Sequence, residues 1–517
     1  MSIRRFIFAA AITLTTVGAI SMKGFFSNKT HPDLLRVAFP YSKPATAYEP
    51  ARIHLAPEYI FLENIFSPLV EMAPKGGKVI AGVAERTYWN KDELHLVIRN
   101  DLKTVSGRPI TAKDAEFSIK RLMVLPGNTH GDFKELLCGA QGLKSVDDRC
   151  EGINVQGNEL VLKTTTAGRT FLAPMLTAID FAIIPRSSVD PQTLKIIDFK
   201  NTSGPYYVAK DSASGDIELR ANPNHYHYSP LMPQVIQLVP TDVKKIHASL
   251  DDFKSDRVDF ITTIDADRAD DVIAFSRAVS DGVLYTTMNI RSFVATFTQR
   301  GTATFSERER FAIGSRLREA FAKALSGKNG YETSRQFFPS FGDGALDKPV
   351  LAKLDEKFQT AGELPKIDRI KIGLVRIGNV AAFSAPIRAV FPDAEIVEIE
   401  KNPDFLKYDS VGDMPLIAIS GPDNGFLEDI GLISYSLNAG FFGMTVPERK
   451  AWIQHYMSIE DKDQRLELLR AAHEKALSEA ITVPLLVAPY AALARKPWKV
   501  GLSTLYANCQ LWLIQKN

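Results

Sequence analysis

The sequence predicts an α/β protein of two lobes with a cleft between them and an extra domain inserted in the first lobe. Three observations support this prediction. The chain has 517 residues, which is too long for a single hydrophobic core. Residues 368–400 read as strand, helix and strand, a βαβ pattern that favours an α/β lobe. Residues 76–200 contain their own strand and hairpin before the chain returns, at 203–270, to strands and one helix.

The segment Leu94–Met123 predicts a strand, a turn and a helix. Apolar residues alternate with polar ones at 94–98, which is typical of a half-buried strand. Residues 106–109 (Ser-Gly-Arg-Pro) are turn formers. Thr111 with Asp114 three residues later then predicts the first turn of a helix.

A second segment, Ser203–Tyr226, predicts two strands that meet at residues 214–216 (Ser-Gly-Asp). In this order the two segments resemble the bacterial extracellular solute-binding proteins of family 5, the large peptide- and nickel-binding receptors of ABC importers. The residues that carry the resemblance are Gly107, Pro109, Thr111, Ala112, Asp114, Phe117 and Ser118, then Gly204, Pro205, Tyr206, Asn222 and Pro223.

Further stretches extend the resemblance over roughly residues 35–515, namely 63–70, 306–325 and 464–485. The chain departs from the family pattern at Ser106, where the family has Asp, and at 225–228, where it has Tyr-Trp. The resemblance implies a two-lobed periplasmic-binding-protein fold with mixed sheets and a hinged cleft.

The predicted boundaries follow the composition and the resemblance together. They are 1–30 for a signal peptide or N-terminal anchor, 34–75, 200–275 and 486–517 for lobe I, 76–199 for the domain inserted in lobe I, and 285–484 for lobe II. The chain is expected to cross between the lobes twice, near 275–285 and near 482–490.

The N-terminus is typical of an export signal. Arg4 and Arg5 precede Phe6–Ile20, a run of apolar and small residues. We expect a periplasmic protein, membrane-anchored if the signal is not cleaved. The alternative is an N-terminal helix of a cytosolic protein.

Composition and motifs argue against several classes of function. The formal net charge is +2, without the basic stripe that a nucleic-acid surface would carry, so we expect no nucleic-acid partner. The sequence lacks the common hydrolase, zinc-protease, P-loop and dinucleotide motifs, and we predict a non-enzyme without metal or cofactor. His225 and His227 are interpreted as packing residues at a strand end rather than as metal ligands.

Cys138 and Cys150 enclose a short polar, glycine-containing stretch. Since an exported protein folds in an oxidising compartment, we expect a local disulfide between them. Two unpaired thiols are the alternative. Cys509 lies in an apolar stretch near the C-terminus and is expected to be a buried thiol.

The strongest candidate for ligand recognition is Asp423. It follows a predicted strand, 415–419, in turn-forming sequence. In peptide-binding members of the family, an Asp at this place in the chain pairs with the α-ammonium of the peptide, so the resemblance implies that role here. The alternatives are a helix cap and a plain turn residue. Neighbouring ligand contacts are expected from Ser420, Gly421 and Asn424. The resemblance also implies contacts from the loop after the first strand, through Tyr41, Thr46 and Tyr48.

Together these predictions describe a monomeric periplasmic receptor. It would bind a peptide or a peptide-like small solute by hinge closure and deliver it to an ABC permease in the inner membrane. Two rival functions remain: a ligand-sensing receptor of the same fold, and an exported hydrolase.

Overall fold

The structure of the protein is a computed structural model. It describes residues 33–40, 43–53, 58–73, 78–127, 131–242, 248–262, 269–328, 330–367, 369–375, 380–399, 415–420, 433, 436–501 and 510–517.

Within these residues the strands, in chain order, are β1 (Leu34–Phe39), β2 (Val70–Met72), β3 (Val79–Ala81), β4 (Ala84–Asn90), β5 (Glu93–Ile98), β6 (Ile153–Gln156), β7 (Glu159–Lys163), β8 (Tyr206–Asp211), β9 (Ile217–Ala221), β10 (Val235–Pro240), β11 (Phe260–Thr262), β12 (Gly282–Thr286), β13 (Arg291–Phe297), β14 (Glu332–Thr333), β15 (Lys371–Val375), β16 (Glu395–Ile399), β17 (Ile417–Ser420), β18 (Thr482–Ala488), β19 (Ala491–Arg495), β20 (Trp498–Val500) and β21 (Ile514–Lys516).

The helices within the same residues are α1 (Glu58–Ile65), α2 (Ala112–Val124), α3 (Thr166–Met175), α4 (Ala248–Lys254), α5 (Ala269–Ser276), α6 (Gln299–Thr304), α7 (Glu307–Leu325), α8 (Lys348–Gln359), α9 (Val380–Val390), α10 (Val446–Ser458) and α11 (Lys462–Ser478).

A seven-stranded sheet is the centre of what we call the first lobe, in the order β12-β19-β11-β1-β10-β9-β8. It is a mixed sheet, because β1 runs parallel to both of its neighbours while the other pairs are antiparallel. β8 and β9 form the hairpin that the sequence predicts. A charged pair ties two strands together, since Arg36 donates to the carboxylate of Asp259 at 2.6 and 2.8 Å.

A six-stranded sheet forms the second lobe together with α7 to α11, in the order β14-β18-β13-β17-β15-β16. β15 and β16 are parallel and α9 connects them, so the predicted βαβ unit is confirmed. α7 begins with the hydroxyl of Ser306 accepting from the backbone N–H of Glu309, whose carboxylate accepts in return from the N–H of Ser306. This reciprocal cap satisfies N–H groups that a helix terminus otherwise leaves unpaired.

A smaller, four-stranded antiparallel sheet, β4-β5-β7-β6, lies between β1 and β8 in the chain. With α2 and α3 it forms what we call the inserted domain. The predicted start of α2 is confirmed, because the Asp114 carboxylate accepts from the backbone N–H and the hydroxyl of Thr111.

At two of the glycines that carry the family resemblance, the backbone disfavours any residue with a side chain. Gly107 has φ +85° in the turn before α2, a conformation that residues with a side chain rarely adopt. A Cβ on Gly204 would lie 2.3 Å from the carbonyl carbon of Ile65. Gly204 therefore allows two backbone segments of the first lobe to touch.

The inserted domain is fastened to the first lobe by polar contacts. Arg121 of α2, 1% exposed, donates to both carboxylate oxygens of Glu49 at 2.9 and 2.5 Å and to the carbonyl of Leu194. From the first lobe, the side chain of Asn222 donates to the carbonyl of Lys103. The buried charge on Arg121 is thus paired and hydrogen-bonded, as burial requires.

The chain crosses between the lobes at two adjacent places, 286–291 and 488–491. β12 ends at Thr286 in the first lobe and β13 begins in the second, while β18 ends at Ala488 in the second lobe and β19 begins in the first. The first crossing lies later than the predicted 275–285, because β12 pairs with β19 and so extends the first lobe.

Replacing Arg121 with Met should lower the free energy of unfolding by roughly 3–5 kcal/mol, because Glu49 would lose its buried partner. Chemical denaturation of both proteins measures the difference. The control is Arg316→Met, which removes an exposed pair with Glu319 and should cost less than about 1 kcal/mol. Equal losses in the two variants would contradict a fastening role for Arg121.

Candidate functional site

The cleft-side edge of the second lobe is defined by the end of β17. Ser420, the last residue of β17, pairs with Val294 of β13. β13 begins at Arg291, where the first crossing enters the lobe. The C-terminal end of β17 therefore lies at the sheet edge nearest the crossings, and the chain after Ser420 starts from that edge.

The first lobe has a matching edge at the end of β1. Val37 of β1 pairs with Phe260 of β11, and two residues further along β11, Thr262 pairs with Ala492 of β19. The preceding residue of β19, Ala491, pairs with Thr286 at the first crossing. The C-terminal end of β1 is thus level with the crossings.

These two edges define the candidate site. Both β1 and β17 are parallel to a neighbouring strand. In α/β sheets, ligands bind outside the C-terminal ends of such strands. The two loops that the sequence predicts as ligand contacts, 41–48 and 420–424, follow these two strand ends.

Six of the seven predicted ligand contacts fall in three groups. Tyr41, Gly421, Asp423 and Asn424 lie outside the described residues. Ser420 closes β17. Thr46 is exposed in a short 3₁₀ turn, Ala45–Ala47, which is held in place where the backbone N–H of Ala45 donates to Asp211 at 2.9 Å.

Tyr48 is a core residue, contrary to its prediction as a ligand contact. Its side chain is 2% exposed. The ring centroid lies 4.6 Å from that of Phe61 and 6.0 Å from that of Phe39. Burial raises the pKa of its hydroxyl well above the usual value. Tyr48 therefore anchors the loop in the hydrophobic core, and we do not assign it as a ligand contact.

The two crossings are hydrogen-bonded to each other. The backbone N–H of Thr287 donates to the carbonyl of Tyr490, and the N–H of Tyr490 donates to the Thr287 hydroxyl, at 3.0 and 2.8 Å. The guanidinium of Arg291 lies 5.2 Å from the Tyr490 ring centroid, within the range of a cation–π contact. Sequence reasoning missed these residues, since none belongs to a recognisable motif.

His225 and His227 belong to a buried polar network. His227 and Tyr226 both bond to the carboxylate of Glu71, with His227 Nε2 2.8 Å from each oxygen. Nδ1 of His225 accepts from the N–H of His227, so its Nε2–H donates to the Ser67 hydroxyl at 3.0 Å. The network joins β2 to the segment after β9.

These bonds are in line with the interpretation of His225 and His227 as packing residues. Among the described residues, no group of three or more His, Cys, Asp or Glu side chains could hold a metal ion. His227 also stacks on Trp512, with ring centroids 5.3 Å apart, which connects the C-terminal end of the chain to the first lobe.

The predicted disulfide is wrong in this structure, because Cys138 and Cys150 are free thiols. Each sulfur lies within hydrogen-bonding distance of a backbone carbonyl oxygen. Cys138 Sγ lies 3.3 Å from the oxygen of Thr164, and Cys150 Sγ lies 3.6 Å from the oxygen of Cys138. Burial raises the pKa of both thiols, which disfavours the reactive thiolate.

Comparison with known families gives a match over residues 78–329, to the model described as bacterial extracellular solute-binding proteins, family 5 Middle. This match confirms the family that the sequence indicates. A comparison with curated protein sequences finds no match.

Solved structures of similar fold cover nearly the whole chain. The murein tripeptide binding protein MppA of Escherichia coli is 14% identical with a TM-score of 0.67, covering 93% of this chain and 98% of MppA. The periplasmic oligopeptide-binding protein OppAIV of Borrelia burgdorferi is 15% identical with a TM-score of 0.69, covering 94% and 100%. NikA of Staphylococcus aureus, solved with Ni(L-His)2, is 13% identical with a TM-score of 0.65, covering 94% and 100%.

The fold is therefore that of the two-lobed periplasmic binding proteins, and specifically of the family 5 solute-binding proteins of ABC importers. The family is described as extracellular solute-binding proteins, and MppA and OppAIV are likewise described as binding proteins. Throughout the described ranges, no helix has both the length and the apolar composition to cross a membrane.

The free energy of unfolding should decrease as the pH is lowered below about 6.5, because of His225. Burial, and then the charges of His227 and Arg99, hold the pKa of His225 well below its usual value of about 6.5. As the pH falls, the unfolded chain takes up a proton that the folded protein refuses. The free energy of unfolding should therefore decrease by up to roughly 1.4 kcal/mol per pH unit from this side chain.

Urea denaturation between pH 7.5 and about 5 measures this slope. His225→Gln, which keeps a donor near Ser67 and cannot be protonated, should show a shallower slope than the wild type. His455→Gln, at an exposed position on α10, is the matched control and should keep the wild-type slope. Identical slopes in all three proteins would show that His225 does not contribute.

Proposed function

We propose that this chain is the periplasmic substrate-binding component of an ABC importer. It captures a peptide or peptide-like solute in the cleft between its lobes by hinge closure and passes it to a membrane permease. The observation that carries this proposal is the position of the two strand ends. The ends of β1 and β17 open toward the paired crossings from opposite lobes, so a solute between them would contact both lobes at once.

The hinge mechanism follows from how few residues connect the lobes. Residues 287–290 and 489–490 lie between the ends of the strands that they join. Small backbone rotations in such short connections can reorient a whole lobe. The bonds between Thr287 and Tyr490 keep the two connections side by side, so they would turn as one hinge.

The domain boundaries are part of the same proposal. We assign 34–75, 200–275 and 486–517 to lobe I, 76–199 to the inserted domain and 285–484 to lobe II. The separate sheets support this division, with two boundaries moved: lobe I extends through β12 to Thr286, and lobe II extends through β18 to Ala488. The peptide preference is supported by the family match and by relatives named for binding a murein tripeptide and oligopeptides.

Export and binding can be tested on one sample. The basic residues before the apolar run Phe6–Ile20 support export. The protein should appear in the periplasmic fraction of its native host, and native mass spectrometry of that material should show a retained peptide-like solute. Deleting the gene should abolish uptake of this solute. Uptake that persists would favour the sensing receptor, and turnover of the solute by the purified protein would favour the exported hydrolase.

Asp423 is proposed to recognise the ammonium group of the solute. Asp423→Asn keeps the shape of the side chain and removes its charge. The affinity for free tripeptides should fall by roughly 2–5 kcal/mol, because the charge of the ligand would be buried without its partner. That corresponds to about 30- to several-thousand-fold in Kd.

Calorimetry with a tripeptide library and its N-acetylated counterpart makes this test specific. The wild type should discriminate against acetylated peptides, and Asp423→Asn should not. Asp393→Asn, an exposed carboxylate in the second lobe, is the matched control and should behave as the wild type. Wild-type discrimination in Asp423→Asn would assign Asp423 to a turn or a helix cap.

A further inference from the structure

The segment after β1 combines buried anchors with exposed side chains. We call residues 43–49 the first-lobe loop. Ala45 and Tyr48 are each 2% exposed, whereas Lys43 and Thr46 are exposed. Since the buried residues attach the loop to the rest of the lobe, the exposed residues between them are held in place without packing in the core. A loop of this kind can present polar side chains to a solute in the cleft.

The carboxylate of Asp211 holds the middle of this loop. Its Oδ2 accepts a hydrogen bond from the backbone N–H of Ala45 at 2.9 Å. Ala45 is the first residue of the 3₁₀ turn Ala45–Ala47, and the first N–H groups of a helical turn find no acceptor within the turn. Asp211 therefore supplies the acceptor that this turn lacks, and it does so from 166 residues away in the sequence.

Asp211 is the last residue of β8, which is not a neighbour of β1 in the sheet. β10 and β9 lie between them, and three strand spacings correspond to roughly 14 Å. One row of paired residues crosses these strands, namely Val37, Leu238, Ile217 and Asp211. Because Val37 is two residues before the end of β1, Asp211 lies close to the sheet edge that is level with the crossings. The bond thus fixes the loop along this edge.

Two further contacts hold the end of the loop. The hydroxyl of Tyr48 bonds to the backbone of Lys43, which closes the loop on itself, and the Tyr48 ring packs on Phe61. Glu49 follows, bonded to Arg121 of the inserted domain. Of these contacts, the one from Asp211 is the link between the exposed middle of the loop and the sheet.

We infer that Asp211 is a positioning residue of the binding site and holds the first-lobe loop in its ligand-binding conformation before a solute arrives. The inference rests on the proposed function, because it requires that this loop contact the solute. A loop that is ordered in advance loses less conformational entropy on binding, so the affinity is higher. Asp211 is itself exposed. Its bond therefore adds little to the packing of the core, and its loss should weaken binding more than folding.

Asp211→Ala should lower the affinity for free tripeptides by roughly 3- to 10-fold, the shift that one hydrogen bond gives, because the solute would then have to order the loop. Asp211→Asn retains an oxygen that can accept from Ala45 and should keep most of the wild-type affinity. Asp216→Ala removes another exposed carboxylate, from the turn between β8 and β9. It is the matched control for the lost charge and should bind as the wild type does.

Two measurements on the four proteins, freed of retained solute by refolding from denaturant, test the inference. Calorimetry with the free tripeptide that binds the wild type most tightly gives the affinity. Hydrogen exchange of the ligand-free proteins, read by mass spectrometry on the fragment that contains residues 43–49, reports the order of the loop directly. Exchange should be faster in Asp211→Ala at this fragment and unchanged at a fragment from α7. Slow exchange in Asp211→Asn would show that the acceptor, rather than the charge, orders the loop.

Unchanged exchange in Asp211→Ala overturns the inference, whatever the protein binds. So does an affinity that is the same in the wild type and in Asp211→Ala, or an equal loss in Asp211→Asn, which would assign the effect to the charge. A wild type that binds no tripeptide contradicts the proposed peptide preference instead, and the exchange measurement still decides whether Asp211 orders the loop.

Discussion

The paired crossings between the lobes are the constraint on which the rest of the structure depends. Thr286 and Ala491 pair as the last residues of one sheet, and Arg291 and Ala488 pair as the first residues of the other. Because both connections lie side by side and are bonded to each other, they define a single axis. The ends of β1 and β17, after which the proposed ligand loops follow, are positioned relative to that axis.

Polar contacts attach the inserted domain to the first lobe. Arg121 is buried and bonded to Glu49 in two places. A buried ion pair contributes less to net stability than to geometry, because desolvation offsets much of its attraction. The main effect of the Arg121–Glu49 pair is therefore to fix the position of α2. It holds α2, and with it the inserted domain, against the first lobe.

The sequence predicts well those features that depend on neighbours in the chain. The βαβ unit at 371–399, the hairpin β8–β9 and the caps at Thr111 and Ser306 are confirmed because each is determined by local patterning. The exact crossing, the ion pair at Arg121 and the bond between Asp211 and Ala45 depend on residues far apart in sequence. An aspartate at the end of a strand carries no signal that tells which distant N–H group it accepts from.

Errors in the predicted site have a similar origin. The resemblance to the family implies a cleft position for Tyr48 after the first strand, but chain position does not tell which way a side chain turns. Here the ring completes the aromatic packing of Phe39 and Phe61. The spacing of Cys138 and Cys150 permits a bridge, yet each thiol faces a carbonyl. Two cysteines close in sequence can form a disulfide, but whether they do depends on how the surrounding backbone orients their side chains.

The bonded crossings and the proposed ligand would act on the same equilibrium. A ligand can favour closure only by the difference between its affinities for the closed and open states. Because β1 and β17 belong to different sheets, a solute between their ends would contact both lobes fully only after closure. The contacts made with the second lobe would therefore supply both the specificity of binding and the free energy that drives closure.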